Sequence, residues 1–283
     1  MREKFNGFSF LFKDRLTTMA TTMMSIFVFS AIFAPWIAPN SKEGAGATNV
    51  ENSFIGPGKS HLLGTDELGR DLLSRIIYGA RPALLIALVV VGFAAIIGTT
   101  LGLIAGYRGG WIENVIMRVS ELFLSFPPLL LSLVAVTFLG PGLTNALIAL
   151  VISWWPWYAR LIRVEASIVR SKPYVEISAA MGVPDRVIIL RHILRNVTTP
   201  LIVQIAADLG TVILAAGSLA FIGLGAQPPT ADWGLMVAQG RTVIFDQWWI
   251  STFSGLAIFL AVLSFNIIGD ALRDHFDPRI ARQ

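Results

Sequence analysis

Long apolar runs dominate this sequence and restrict it to folds that place several helices in a lipid bilayer. We predict six spans, at residues 17–37, 83–105, 122–139, 143–158, 200–224 and 248–268. A helix needs about 20 apolar residues to cross the hydrocarbon core, so the run 143–158 is short. Pro127 and Pro128 also interrupt the run 122–139. Because backbone groups must be satisfied internally in lipid, the predicted fold class is an all-α integral membrane protein.

The composition supports this class and excludes others. The residues are 54% hydrophobic and only 14% charged, with a mean hydropathy of +0.68, whereas soluble domains carry about 25% charge. The net charge is +4, but the basic residues fall in short segments that flank apolar runs. That distribution is typical of membrane topology and not of a nucleic-acid patch. The sequence has no cysteine, which excludes disulfides and thiolate metal sites.

The distribution of Lys and Arg predicts the orientation of the chain. With the N-terminus inside, sixteen of these residues fall on cytoplasmic segments and six on outside segments. Basic loops favour the cytoplasmic side, so we expect both termini to be cytoplasmic. The first run is too long for a signal-peptide core and has no small-x-small cleavage site after it, which indicates a retained signal anchor.

The segment 39–81 is expected to lie outside the membrane. It opens with irregular chain and becomes helical from Asp71, and we predict that this helix lies along the membrane surface with Asp71 and Arg75 as an i,i+4 pair. Gly58-Lys59-Ser60 ends like a phosphate-binding loop, but Ser53 stands where that motif requires glycine. We therefore expect no nucleotide site. We also expect no catalytic residue and no metal site, because the three histidines lack metal-ligand spacing.

The most informative stretch is the polar and basic segment Glu176–Arg195, set between two apolar runs. Pro173 suits the first turn of a helix, and Glu176 carries the charge that a helix N-terminus favours. Gly182 tolerates the left-handed conformation that ends a helix, and Pro184 suits the start of another. The pattern predicts a short helix, a sharp turn and a second helix. A helix of about two turns is not stable alone in water, so we expect it to dock on a partner.

The spacing within this segment resembles the EAA loop of ABC importer permeases. Glu176 precedes Gly182 by six positions, and Leu194-Arg195 follow that glycine by twelve and thirteen. Ile177 and Ser178 stand where the family has two alanines, and Arg195 stands where it has a proline. Three further stretches are similar to the subgroup that imports dipeptides, oligopeptides and nickel: His61–Leu84, Phe221–Trp233 and Asn266–Arg279.

The resemblance implies a type I ABC importer permease fold, with six transmembrane helices and a cytoplasmic coupling helix that fits a groove on an ATPase subunit. Residues 84–273 would form the permease domain, residues 1–83 the N-terminal tail, first transmembrane helix and periplasmic loop, and residues 274–283 a cytoplasmic tail. The coupling residues that it implies are Glu176, Ala179, Ala180, Met181 and Gly182.

Partners and location also follow from the resemblance. It implies a second, homologous permease subunit, two ATP-binding subunits and a periplasmic solute-binding protein, assembled in the bacterial inner membrane. The chain itself would bind no cofactor, because ATP is held by the partner subunits. No nucleic acid is expected as a partner.

Two patterns within the apolar runs predict how the spans are used. Gly98, Gly102 and Gly106 repeat every four residues, which lets another helix approach closely. Asp208 lies in the middle of the fifth run, where a charge costs about 3 kcal/mol, so we expect it to face the bundle interior or a wet cavity. The side chains that share its helical face are polar or small: Gln204, Thr211, Ala215 and Ser218. Either this stripe is a pore wall that meets a substrate ammonium group, or Asp208 makes a helix-helix hydrogen bond.

The sequence thus favours a permease subunit that forms half of the transmembrane path for dipeptides or oligopeptides. The stretch His192–Asn196, taken with Asp208, resembles permeases for D,D-dipeptides. Nickel or another small solute is the alternative cargo. A channel or an ion-driven carrier is the rival class, and it would predict inverted repeats or several intramembrane charges. A membrane scaffold is a third interpretation.

Overall fold

The computed structural model describes residues 9–12 and 14–276, and every regular element in these residues is a helix. This confirms the predicted all-α class. A short 3-10 helix covers Ser9–Phe12, a second covers Val50–Asn52, and a π-helical stretch covers Ile188–Ile193. The α-helices, in chain order, are α1 (Arg15–Ile37), α2 (Ser41–Gly44), α3 (Leu72–Arg108), α4 (Gly110–Leu124), α5 (Pro128–Leu139), α6 (Leu143–Arg170), α7 (Pro173–Ala180), α8 (Asp185–Val187), α9 (Leu194–Phe221), α10 (Trp233–Arg241) and α11 (Trp248–Phe276).

Four helical segments of the described chain are long and apolar enough to cross a membrane. They are α1, α3, the continuous run Asp185–Phe221 and α11. A fifth span results if α4 and α5 are counted together, but these two helices meet at an angle of 88°. The predicted span 122–139, which Pro127 and Pro128 interrupt, thus falls on a sharply bent pair of helices and stays a prediction. Its break has a local cause, because the residue before a proline is driven out of the α conformation and Pro127-Pro128 follow Phe126.

Helix α6 differs from the spans in composition. The predicted span 143–158 is part of this 28-residue helix, but α6 is not among the segments that qualify as spans by length and apolar composition. Its first half is less apolar because it contains two tryptophans, Asn145 and Pro156, and its second half carries charge at Arg160 and Arg163. By length and composition, the described residues thus provide four or five spans.

The helix that begins after Asp71 is not a separate element ahead of the second span, as the sequence suggested. It is the start of α3, which continues without a break to Arg108 over 37 residues. At 1.5 Å per residue this helix is about 55 Å long, well beyond the thickness of the hydrocarbon core. The predicted Asp71–Arg75 pair is also wrong. Asp71 contacts the ring of His61 at 2.9 Å, and Arg75 lies 3.6 Å from the carboxylate of Asp66.

One compact unit contains the described residues of 1–88, 136–147 and 206–283. In this unit α11 packs against α1 and α10. Its apolar core contains Trp233 and Trp249, whose indole N–H groups donate to the carbonyl oxygens of Ile76 at 2.9 Å and Thr65 at 3.1 Å. Each tryptophan therefore fills the core and also satisfies a backbone acceptor on a distant segment.

The other compact unit contains residues 89–135 and 148–205. Here α3 and α6 pack backbone to backbone along the predicted glycine stripe. A β-carbon at Gly102 would lie 2.6 Å from the carbonyl oxygen of Ala159, and one at Gly106 would lie 2.6 Å from that of Arg163. Gly98 is equally close to Tyr158. The prediction of close helix packing is confirmed, since any side chain at these positions would force the helices apart.

Candidate functional site

The segment around Gly182 has the predicted helix-turn-helix geometry. Pro173 occupies the first turn of α7, and Glu176 is the acidic residue of that turn. Gly182 has a φ of +82°, a left-handed conformation that glycine adopts without strain. Its N–H donates to the carbonyl oxygen of Ala179 at 3.0 Å, which closes the helix end. Pro184 then precedes the run Asp185–Phe221, which opens with a short α-helical turn and the π-helical stretch.

Helix α7 presents most of its surface outward. Val175 is its only buried residue. Two large apolar side chains, one turn apart, are exposed to solvent. Ile177 in α7 is 58% exposed, and Met181, directly after the last residue of α7, is 78% exposed. The predicted coupling residues Glu176, Ala179, Ala180 and Gly182 are exposed as well. An exposed apolar face on a helix of eight residues is typical of a surface that another protein covers.

A small set of contacts holds α7 in place. Val175 packs in an apolar cluster with Ile188 and Ile193 of the π-helical stretch, and Leu103 and Ile162 belong to the same cluster. The phenol of Tyr174 accepts a hydrogen bond from Asn196 at 3.2 Å. The helix is thus anchored on one side and free on the other.

A polar recess of about 750 Å³ lies beside α7. Its lining carries charges of both signs, and some of them are paired. Arg108 lies 3.1 Å from Asp185, and Arg163 lies 3.2 Å from Glu113. Glu176 and Ala179 of α7 also border the recess. Within the part of the chain that the structure describes, no group of three His, Cys, Asp or Glu residues is placed to bind a metal ion.

The second set of predicted site residues lies on α9. Asp208 is buried, Thr211 is exposed, and Gln204 and Ser218 are partly exposed. The hydroxyls of Thr211 and Ser218 donate to carbonyl oxygens one turn earlier in their own helix, at 3.4 Å and 2.8 Å. The burial of Asp208 agrees with the expectation that it avoids lipid. Its role as a pore residue stays a prediction.

A buried charge cluster that the sequence pattern did not predict is formed by His61, Asp66, Arg70, Asp71 and Arg75. Arg70 donates to Asp66 at 2.6 Å, and Arg75 donates to the carbonyl oxygen of Thr230 at 3.2 Å. All five residues are buried. The available signal was the density of charged residues in 61–75 within an apolar chain. Two pairs in this stretch have the i,i+4 spacing of exposed helical ion pairs, so the pattern gave no sign of burial.

Asp232 lies at the start of α10 and interacts electrostatically with Arg75 of this cluster. Its carboxylate accepts a hydrogen bond from the N–H of Leu235 at 2.9 Å, which caps the helix. Burial raises the pKa of Asp232, while hydrogen bonds from the backbone and the charge of Arg75 act in the opposite direction. The charge of Arg75 therefore favours two carboxylates, that of Asp66 in the cluster and that of Asp232 at the start of α10.

These features define a class of protein: a helical membrane protein with several spans and one short, exposed helix between two of its helices. Residues 98–282 match the family described as the binding-protein-dependent transport system inner membrane component. The match covers well over half of the chain, and the chain belongs to this family. It is therefore a multi-pass protein of the inner membrane.

The relatives of this chain agree with this family. The chain is 41% identical to the probable D,D-dipeptide transport system permease protein DdpC of Escherichia coli (strain K12), over 98% of this chain and 93% of that protein. It is 42% identical to the dipeptide transport system permease protein DppC of Alkalihalophilus pseudofirmus, over 97% of this chain and 89% of that protein. These relatives are transport permeases, which confirms the interpretation of the chain as a transport subunit and not an enzyme.

A solved structure supports the fold. The methionine ABC transporter MetNI, in an inward-facing conformation, contains a chain that matches with a TM-score of 0.58 and 18% sequence identity. The match covers 71% of this chain and 95% of that chain. At this identity the likeness concerns the fold alone.

Proposed function

We propose that this chain is the permease subunit of an ATP-driven importer and forms half of the path that carries di- or oligopeptides across the inner membrane. The observation that carries the proposal is α7, a short helix whose exposed face bears Ile177 and Met181 beside Glu176. In an ABC importer such a helix would fit a groove on an ATPase subunit. The residues Ala179, Ala180 and Gly182 would complete the contact.

The proposed assembly contains a second, homologous permease, two ATP-binding subunits and a periplasmic solute-binding protein. ATP would be bound by the partner subunits, and this chain would hold no cofactor. The proposed topology has six spans with both termini in the cytoplasm, and the excess of basic residues on one set of segments supports this orientation. In this topology α7 faces the ATP-binding subunits.

The proposed mechanism is alternating access. Closure of the ATPase pair would push α7, and the displacement would pass into the helical run Asp185–Phe221 that follows it. This run carries Asp208 and the stripe of Gln204, Thr211 and Ser218. We propose that this stripe lines the path and that the Asp208 carboxylate meets the ammonium group of a peptide.

Peptides are the proposed cargo because the names of the relatives agree on them. Besides the two dipeptide permeases, the di/tripeptide transport system permease protein DppC of Pseudomonas aeruginosa is 43% identical over 91% of this chain and 86% of that protein. Nickel is the alternative cargo that the sequence suggested. It has no ammonium group, so its path would not need the proposed contact with Asp208.

Reconstitution of the complete complex tests the proposal. Proteoliposomes that contain both permeases and both ATPase subunits would receive binding protein loaded with L-Ala-L-Ala, D-Ala-D-Ala, a tetrapeptide or Ni²⁺. We expect ATP hydrolysis to rise with a loaded binding protein and one class of peptide to accumulate. Failure of the ATPase subunits to copurify with this chain would contradict the coupling role, and uptake of Ni²⁺ alone would contradict the peptide cargo.

A further inference from the structure

Asp185 lies three residues after Gly182 and is held by the last two residues of α3. The phenol of Tyr107 donates to Asp185 Oδ1 at 2.8 Å, and Arg108 Nη2 lies 3.1 Å from Asp185 Oδ2. Each carboxylate oxygen therefore has its own partner on α3. We call Tyr107, Arg108 and Asp185 the Asp185 link, because they join the turn after α7 to the end of a different helix.

Tyr107 also connects this link to α6. The guanidinium carbon of Arg170, the last residue of α6, lies 5.8 Å from the centre of the Tyr107 ring. A cation placed over an aromatic ring at this distance is attracted by the ring. The ends of α3 and α6 and the start of α8 thus converge on one tyrosine.

The exposure of the link argues against a role in stability alone. The side chains of Arg108 and Asp185 are 54% and 48% exposed, and ion pairs with such exposure contribute little to folding. What the link does supply is a fixed distance between the turn and α3. A β-carbon at Gly182 would meet no atom within 4 Å, so Gly182 itself has no packing contact that would hold the turn.

We propose that Asp185 is a positioning residue that passes displacement of α7 to α3. This inference rests on the proposed coupling role of α7. Without the link, movement of α7 would reach the long helices only through the apolar cluster around Val175 and along the run Asp185–Phe221, with no polar contact tying the turn itself to α3. With the link, the same movement also displaces the end of α3, a continuous helix of 37 residues that packs on α6 through Gly102 and Gly106.

Three substitutions separate the two contacts of the link. Asp185→Ala removes both contacts, Asp185→Asn removes the ion pair but keeps an acceptor for the phenol, and Tyr107→Phe removes only the hydrogen bond. The control is Arg118→Ala, which breaks the Arg118–Glu121 pair at 3.2 Å within α4. That pair is more exposed and joins no two elements.

The experiment uses the complete complex in proteoliposomes, with L-Ala-L-Ala or D-Ala-D-Ala, whichever the wild-type complex imports. It measures peptide taken up per ATP hydrolysed and, separately, the amount of ATPase subunit that copurifies. We expect Asp185→Ala to lower uptake per ATP by about fivefold or more, the lower end of typical coupling between sites. Asp185→Asn and Tyr107→Phe should have smaller effects, and Arg118→Ala should have none. All variants should retain the ATPase subunits.

A charge swap adds a rescue test. The double variant Asp185→Arg with Arg108→Asp restores an ion pair in reverse, so it should recover part of the uptake per ATP that Asp185→Arg alone loses. Wild-type uptake per ATP in Asp185→Ala would overturn the inference while leaving the proposed function intact. Loss of the ATPase subunits from Asp185→Ala would make Asp185 a docking residue and would also overturn it. If the wild-type complex shows no stimulated hydrolysis, the proposed function itself fails.

Discussion

Two groups of charged residues in this chain have similar chemistry and opposite surroundings. The buried charge cluster places Arg70 and Arg75 at 1% exposure around Asp66. The Asp185 link places an arginine and a tyrosine around one carboxylate at about half exposure. Each group joins segments that are distant in sequence. Burial therefore distinguishes the two groups, whereas residue type does not.

The difference has energetic consequences. A buried charge that loses its partner keeps its full desolvation cost, so removing one member of a buried pair is strongly destabilising. An exposed pair is solvated whether or not it is formed, and its loss changes folding little. The buried charge cluster is therefore suited to hold a fixed structure. The Asp185 link is suited to pass a displacement between elements without adding much to stability.

The largest effect should come from Arg75→Ala in the buried charge cluster. This change leaves Asp66 with one fewer cationic neighbour and removes the hydrogen bonds to the carbonyl oxygens of Pro229 and Thr230. We expect a loss of about 3–5 kcal/mol in the free energy of unfolding, which few membrane proteins of this size would tolerate. Thermal unfolding of the two proteins in detergent measures this loss of stability. Arg118→Ala at an exposed pair is the control, and equal stability of the two variants would show that burial does not make the cluster more important for folding than an exposed pair.

The next effect concerns Gly182 in the turn after α7. Gly182→Val forces a β-branched residue to a φ of +82°, which costs about 1–2 kcal/mol of backbone strain, and it should redirect α7. We expect binding-protein-stimulated ATP hydrolysis to be lost while the protein still inserts in the membrane, because no span is changed.

Gly110→Val is a matched control for that variant. Gly110 has a φ of +60°, and, as at Gly182, a β-carbon there would meet nothing within 4 Å. The two substitutions thus impose similar strain at positions without steric contact. If Gly110→Val abolishes stimulated hydrolysis as fully as Gly182→Val, general destabilisation and not coupling explains the loss.

A smaller and more selective effect is expected from Asp208→Asn. Asparagine is nearly the same size and still accepts a hydrogen bond, so the complex should assemble. Uptake of a zwitterionic dipeptide should fall several-fold if the carboxylate meets the ammonium group. Thr198→Val is the control for disturbance of the helix surface, because Thr198 is exposed on α9 outside the stripe and its hydroxyl donates to the carbonyl oxygen of Leu194 at 2.8 Å. Loss of assembled complex, with unchanged uptake in what remains, would favour the helix-packing interpretation.

The sequence predicted those features that local rules determine. Pro173 and Gly182 mark the ends of α7, because a ring-fixed φ and a left-handed φ are properties of single residues. The glycine stripe at 98–106 predicted close packing because only hydrogen lies on that face. These predictions needed no knowledge of which segments meet in space.

The remaining features depend on contacts between distant residues. Asp71 and Arg75 have helical spacing, so the i,i+4 rule paired them, but His61 and Asp66 in the preceding loop are their actual partners. Asp185 and Tyr107 are 78 positions apart, and no periodicity relates them. The π-helical stretch Ile188–Ile193 was not predicted either, since its sequence is as compatible with an α-helix.

The smallest effect concerns Asp232, which lies beside the buried charge cluster but acts mainly as a helix cap. Because burial raises its pKa above the ordinary value of 3.8, the folded chain binds this proton more tightly than the unfolded chain does. Between these two pKa values the folded state holds more protons, so this residue makes stability fall as pH rises through that window. Asp232→Asn removes the titration and keeps an acceptor for the N–H of Leu235. We expect its stability relative to wild type to increase as pH rises from about 4.

The companion variant Asp232→Ala separates the cap from the charge. It also removes the titration but loses the hydrogen bond to Leu235, which should lower stability by about 1 kcal/mol relative to Asp232→Asn at every pH. Melting temperatures of the three proteins, measured at intervals from pH 4 to pH 7 in one detergent, provide both comparisons. If the stability difference between Asp232→Asn and wild type does not change with pH, burial does not disfavour the charged form of the Asp232 carboxylate. Asp232 would then belong with the Asp185 link, as a charge that its surroundings tolerate without cost.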